Sequence, residues 1–520
     1  MTSSSIRSRP RRATPHISVR VAHTLLGGLA GVAWLVLPGM THDGGAVVVE
    51  ARAGAVEKAA VQEDDSSGAD LVLPLLAVGA AGVIGGYAYV RRTRRARTRT
   101  TPATALVGPW TPSTDELDRQ ARALLVTADD CVRTSREELG FAEARFGATP
   151  VAPYARAVRD AEAELTAAFR IRQQYDDGIP QEPAARQHAL AGIVGRCEEA
   201  GRRLDAEAAG FDQLRALERD ADEALKIAED RFRALAARTA SVESLLAGLR
   251  RRYAPSATAA VTGHAEQAKD RLVLATLRLN HSRQAADRRD PDLAAAHLRT
   301  AESAIPQAAV FLDGIERLTT ELAAADALTP AALTGAEAAI AGARERLATL
   351  TEAPAEIPSG ELWARILHSD GALAAVRDAR TTGPYDPLDG LRRIARSAAP
   401  LTADPTTGVL GAAALLVARS AVAGAGDFVA THRGAVGAAA RTRLAEAERL
   451  LVEDPLAADA YAGEARDLAE QDVRVHGNPV EGAAAHESGV AGAIVGGVLR
   501  DGEAPGSFGG PRTRERRARL

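Results

Sequence analysis

From residue 113 to about 475, apolar positions recur at alternating steps of three and four, the spacing of a helix with one buried stripe. The first such stripe is Leu117, Ala121, Leu124, Ala128, Cys131, Ser135 and Leu139. It predicts a helix opening at Ser113 or Thr114, with Glu116 at capping-box distance from Ser113. Cys131 then reads as a small buried hydrophobe. The clearest pattern runs from 211 to 249, where Phe211, Leu214, Ala221, Leu225, Ala228, Phe232, Leu235, Val242, Leu246 and Leu249 keep one register, with Glu218 and Thr239 as polar interruptions. Such a run predicts one long helix of about 60 Å. Its coiled-coil seam would comprise Phe211, Leu214, Leu225, Phe232, Leu235, Leu246 and Leu249, facing either another segment of the chain or a second chain.

Breaks are expected at 148–153 (ATPVAP), 178–183 (GIPQEP), 253–256 (YAPS), 289–292 (RDPD), 353–360 (APAEIPSG), 383–387 (GPYDP) and 400–405 (PLTADP). Proline ends a helix by removing a donor and restricting its predecessor. The intervals predict an all-α fold of antiparallel hairpins or a helical bundle over 113–475. DPDLAAAHLRTAESAI at 290 and DPLAADAYAGEARDLA at 454 have a helical-repeat pattern without a fixed period. From 476 to 520 glycine, alanine and charge predict a disordered Gly/Arg-rich tail. The apolar stretch AGAIVGGVL at 491–499 is too short to span a membrane.

Ahead of the helices the pattern changes to two uncharged runs. A basic region at 1–20 precedes 21–40, which reads as a signal peptide or an uncleaved signal anchor. The second run, LVLPLLAVGAAGVIGGYAYV at 71–90, has the roughly 20 residues that cross about 30 Å of hydrocarbon, with Tyr87 and Tyr89 placed for an interface. Arg91, Arg92, Arg94, Arg95, Arg97 and Arg99 follow at once, in a linker covering 91–112. They predict topology and contact with anionic lipid: arginines beside a span stay in the cytoplasm, which puts the acidic loop 41–70 outside and the helical body inside a plasma membrane.

Composition sharpens the helical reading. Apolar residues make up 46 % of the 520 but aromatics only 3 %, with alanine leading, so slender helices are favoured over a sheet sandwich. Net charge is -4, and no aromatic platform or reading helix follows the arginine block, which argues against nucleic acid. Cys131 and Cys197 have no CxxC partner.

Chemistry is hard to find. Asp129 with Asp130 and Asp176 with Asp177 read as helix ends or solvated faces. His264, His281 and His297 lie on separate stretches without metal-ligand spacing. The basic residues from Arg433 to Arg443 read as a solvated or lipid-facing surface. No phosphate loop, dinucleotide motif or nucleophile elbow is present, so no catalytic residue, metal or cofactor is expected.

Several phrases, SREELGFAEARFG at 135, TGHAEQAKDRL at 262, GPYDPLDGLRRI at 383, GDFVATHRGAVGAAARTRLAEAERLL at 426, AEQDVRVHGNP at 469 and PGSFGG at 505, resemble the C-terminal region of actinobacterial TPM-domain membrane proteins. The resemblance covers about residues 71–510. It implies a signal segment, an extracytoplasmic α/β TPM domain with phosphatase or assembly-factor roles, a span, an arginine cluster, a helical region and a glycine-rich tail. Here only thirty residues, 41–70, stand where a TPM domain would lie, so no TPM site residue carries over. The expectation is a non-enzymatic, membrane-anchored scaffold that binds partners or self-associates through its coiled coil. The alternative is a degenerate or split TPM-family protein working with a separate TPM subunit.

Overall fold

A computed structural model describes residues 112–217, 219, 221–349, 359–476 and 507–518, all within the unit Gly108–Leu520. The apolar runs at 21–40 and 71–90, the acidic loop, the arginine block, the stretch 491–499 and most of the break at 353–360 lie outside the described residues. Among the described residues the structure is all-α, with no strand.

Three helices form the first layer: α1 (Thr114–Phe146), α2 (Ala148–Asp176) and α3 (Pro183–Arg215). Ser113 caps α1 as its spacing predicts, its hydroxyl accepting from Glu116 N at 3.2 Å. Gly147, at φ 78°, makes the α1–α2 corner, so the break precedes the predicted ATPVAP, and Pro153 lies inside α2. Arg136 with Glu162, and Arg172 with Asp118, pair α1 and α2 antiparallel. The apolar stripe of α1, including Ala121, Leu125, Ala128 and Cys131, is buried against α2 and α3.

The predicted single helix from 211 to 249 is instead two. Helix α3 ends at Arg215, Ala216 takes a left-handed conformation at φ 46°, and α4 (Asp222–Arg252) starts afresh. The physical reason lies in burial: Phe211 packs in the α1–α3 core, with Leu214 at its edge, whereas Leu225, Leu235, Leu246 and Leu249 pack in a second core, with Phe232 at its edge. One unbroken register thus serves two bundles, and the turn between them redirects it. The partner of the α4 seam is this chain's own α6 (Pro291–Thr349), set parallel by Arg238 with Glu316 and Arg252 with Asp326.

Helix α6, about 90 Å long at 1.5 Å per residue, is the axis of the second core. Helix α5 (His264–Asp287) runs antiparallel along it, as the bond from Ser282 Oγ to Ala294 O shows, after a 3₁₀ turn at Pro255–Val261. Helices α7 (Ser359–Thr382) and α8 (Pro387–Ala398), followed by a 3₁₀ turn at Ala399–Leu401, pack on it too. Alanines such as Ala301, Ala304, Ala308 and Ala336 are fully buried, the close approach that the composition predicts. A third cluster joins α9 (Gly408–Thr431), α10 (Ala438–Leu450) and α11 (Pro455–His476).

Three helices begin at Asp-Pro. Asp290, Asp386 and Asp454 each accept a backbone N–H three residues on, with Pro291, Pro387 and Pro455 at the first helical position. The aspartate satisfies an orphan donor and the proline removes another. The two repeat-like phrases are therefore helix starts of one chemical kind.

Among the described residues one helix, α9, is long and apolar enough to cross a membrane by length and composition. Its buried face, including Ala414, Ala418, Val422 and Val429, packs inside the bundle, and Arg317 of α6 binds its Asp427 at 2.5 Å.

The last element corrects an expectation. Residues 507–518 belong to the predicted disordered tail, yet they form an ordered segment ending in α12 (Pro511–Ala518), and Phe508 is fully buried. Residues 477–506 lie outside the description.

Candidate functional site: a groove for the C-terminal segment

Segment Ser507–Gly510 and α12 occupy a groove between α1 and α3. At its floor Phe211 stacks on Phe508 with centroids 4.3 Å apart, and Tyr154 of α2 closes the side edge-on at 6.0 Å. Stacked and edge-on ring pairs add to the apolar burial of a phenyl group. The backbone of the segment is then read by side chains. Phe508 N donates to Glu138 Oε2 at 3.0 Å, Gly509 N to Ser135 Oγ at 3.2 Å, and Gly510 N to Asp205 Oδ1 at 2.9 Å.

Asp205 does more than hold Gly510. It also accepts Thr513 N at 3.0 Å and Thr513 Oγ1 at 2.6 Å. A helix leaves its first N–H groups unpaired, and here a carboxylate from another helix, 308 residues away in sequence, supplies the cap. Arg514 donates to the carbonyl of Asp130 at 2.9 Å, and Arg517 pairs with Asp212.

The glycines are required by closeness. A Cβ on Gly510 would stand 2.2 Å from Gly201 O, and one on Gly201 would stand 2.7 Å from Pro511 Cδ. Gly509, at φ 132°, has a conformation that side-chain-bearing residues rarely adopt. The groove therefore selects Phe-Gly-Gly-Pro by shape and main-chain bonds together. Beside α12 an open cleft of about 560 Å³ is bordered by Arg202, Asp205, Ala206, Arg512, Glu515 and Arg516.

Under the groove lies a network of buried ions. Glu138 is 3.8 Å from Arg215, which donates to both carboxylate oxygens of buried Glu302 in α6, at 2.6 and 3.0 Å. These carboxylates hold Arg215 charged although burial works the other way. Arg441 of α10 reaches Asp129 at 2.5 Å and Asp130 at 2.7 Å. Burial opposes ionisation of Asp129, but Arg133 and Arg441 outweigh it and hold its carboxyl below the usual range. Arg433 binds Glu137 through both terminal nitrogens, at 2.9 and 3.1 Å.

These positions overturn two sequence readings. Asp129 lies on no solvated face, and Arg433 and Arg441 form no solvated or lipid-facing surface: all three are buried, Asp129 paired with Arg441 of α10 and Arg433, in the turn after α9, with Glu137 of α1. The predicted seam residues do not gather at the groove except for Phe211, the ring that receives Phe508. Ser135, Glu138 and Asp205 were missed as ligands. Their signal was small, a serine on an apolar stripe and one phenylalanine set among glycines near the C-terminus.

A second polar island sits where α5, α6 and α9 meet. His264 lies edge-on to Phe311 at 5.1 Å, and His432 stacks on Phe428 at 4.2 Å with its Nδ1 3.0 Å from Phe428 O. Burial, with nearby arginines, pushes both imidazoles down to about 4. His281 and His297, expected on separate stretches, have ring centroids 5.1 Å apart. Among the described residues no three His, Cys, Asp or Glu are placed to hold a metal ion. Burial raises the Cys131 thiol to about 11 and the Cys197 thiol to about 12, so neither offers a thiolate near neutrality.

Fold and groove together define the described part as an all-α bundle that holds a peptide segment between two of its helices. Compared with known proteins, the chain is similar to the UPF0603 proteins MT2410 and Rv2345 of two Mycobacterium tuberculosis strains, CDC 1551 and H37Rv, each 31 % identical over 425 residues. The matched part covers 76 % of this chain and 63 % of each relative, so the chain spans less than two thirds of their length. No family model matches the chain, and no solved structure matches it.

Proposed function

We propose that the chain is a non-enzymatic, membrane-anchored helical scaffold that binds protein partners through the α1–α3 groove. The observation that supports this reading is the groove itself, which recognises an aromatic ring, three main-chain amides and a helix start. Residues 71–90 serve as the span. The six arginines from Arg91 to Arg99 hold that span's cytoplasmic end in a plasma membrane, each adding about 1 kcal/mol of attraction to anionic lipid. The test is calorimetric binding of a synthetic peptide of residues 507–518 to the chain truncated after Gly506. Saturable binding that a Phe508→Ala peptide loses is expected; equal binding of both peptides, or none, overturns the reading.

A second reading has the chain as the helical partner of a separately encoded TPM-type domain. The ordered series of phrases from residue 135 to 510 that resemble such proteins favours it. Co-expression of the chain with a free TPM domain, followed by purification through either one, tests it, and separate elution removes it.

A further inference from the structure

We propose that residues 507–518 form an intrachain strap over the junction of the two cores, so that filling the α1–α3 groove fixes the turn that carries the chain from one core to the other. The strap acts on its own chain, whatever else the groove can take.

The junction is short and held in a costly conformation. Phe211 belongs to the first core and Leu217 already to the second. Between them Ala216 stands at φ 46°, where its Cβ crowds the carbonyl that follows, so contacts from outside must hold it there. Two contacts of the segment land on the turn of α3 just before it. Phe508 stacks on Phe211, and Arg517 pairs with the carboxylate of Asp212, whose own carbonyl accepts the N–H of Ala216 at 2.8 Å.

A third contact is relayed. Glu138 has one carboxylate oxygen on the N–H of Phe508 at 3.0 Å and the other 3.8 Å from Arg215, the last residue of α3. Arg215 in turn donates to both oxygens of Glu302 in α6, at 2.6 and 3.0 Å. All three side chains are buried. Away from water neighbouring charges are felt strongly, so the docked segment, the end of α3 and the axis of the second core form one connected series of polar contacts. Lifting the segment opens Glu138 to water, which screens its pull on Arg215, and it frees Phe211 and Asp212 at the same time. The turn then loosens while each core keeps its own helices.

The experiment compares amide hydrogen exchange in the full chain and in the chain truncated after Gly506, both in detergent, with Glu302→Gln also made in each. In the parent pair, truncation is expected to speed exchange at Leu214, Arg215 and Ala216 by roughly 10-fold or more, while α2 stays as it was. In the Glu302→Gln pair that acceleration should shrink, because the relay no longer ends on a charge. An unchanged junction overturns the strap. So does equal acceleration throughout α1–α3, which would make the segment an ordinary part of the first core. The same acceleration with and without Glu302 means that Arg215 relays nothing, and overturns it too. Circular dichroism checks the helix content, and Phe508→Ala in the full chain replaces truncation should the truncated chain lose helix beyond α12. No peptide is added, so a failure here leaves standing the groove's capture of a free segment, which calorimetry reads separately.

Discussion

The α1–α3 bundle buries ion pairs that reach remote elements, whereas the buried face of α6 is mostly small and apolar, with Glu302 and the neighbouring Arg271 of α5 as exceptions. Arg441, Asp129, Glu138 and Arg215 lie beneath or beside the groove, while the face of α6 offers Ala301, Ala304, Ala308, Phe311, Leu312 and Ala336. Alanine seams let helices approach closely but distinguish one register poorly from the next. The buried ion pairs do the opposite, because each joins residues far apart in sequence: 129 with 441, 137 with 433, 215 with 302. A removed partner leaves a charge in a poor solvent, so only one docking arrangement satisfies all of them. Charge is thus spent where remote elements must meet, and small apolar residues where neighbouring helices run side by side.

The largest test of this contrast is Arg441→Ala. It leaves the buried carboxylate of Asp129 to Arg133 alone and takes the donor from Asp130 and from the carbonyls of Arg433 and Val436, so it should lower unfolding stability by up to about 3–5 kcal/mol, read from the midpoint of urea denaturation. Leu312→Ala in the α6 core should cost about 2–5 kcal/mol through its cavity. The two differ in repair. Asp129→Leu combined with Arg441→Met should recover part of the first loss, since the buried carboxylate goes with its cation, while Arg133 loses a partner and the carbonyls of Arg433 and Val436 stay without their donor. If the double variant is as unstable as the single, the main-chain bonds of Arg441 and the Arg133 pair outweigh its charge on Asp129.

The same contrast explains what was legible in the sequence. The helices, their stripes and most of their breaks followed from periodicity and proline, and Ser113 capped its helix as its spacing predicts. The turn at Ala216 was not legible, because Phe211 to Leu249 keeps one register across it while the cores on either side differ. Nor was the groove. Glu138 and Asp205 look like any helix-surface carboxylate until residues 508–513 arrive from the far end of the chain. Low hydrophobicity suggested disorder for that end, and one phenylalanine with two glycines was enough to dock it.

Next in size is a pH effect located in the second core. His264 and His432 are held near 4, well below the ordinary 6.5, by burial and by Arg271, Arg317 and Arg466; the carboxylate of Asp427 also belongs to this island. Through these two rings the unfolded chain binds more protons than the folded one between about pH 6.5 and 4, opposed in part by Asp427, whose carboxyl burial raises. Stability is fully present above that window and falls as pH drops through it, by up to about 3 kcal/mol per ring. Denaturation midpoints at pH 7.5, 6 and 4.5 should fall in that order, and His432→Gln should flatten the slope. An unchanged slope in that variant would place the effect on other groups.

The smallest effect tests the cap supplied across the groove. Asp205→Ala removes the acceptor shared by Gly510, Thr513 N and the Thr513 hydroxyl, and a lost helix cap costs about 0.5–2 kcal/mol. Global unfolding should hardly move, because the α6 core and the ions around Arg441 are untouched. The loss belongs to the local equilibrium of segment 507–518, so hydrogen exchange at the Gly510 and Thr513 amides should speed up by roughly 2- to 30-fold while exchange in α6 stays as it was. Equal acceleration in α6 would mean that the segment and the alanine core open as one unit, and the division between the two regions would fall.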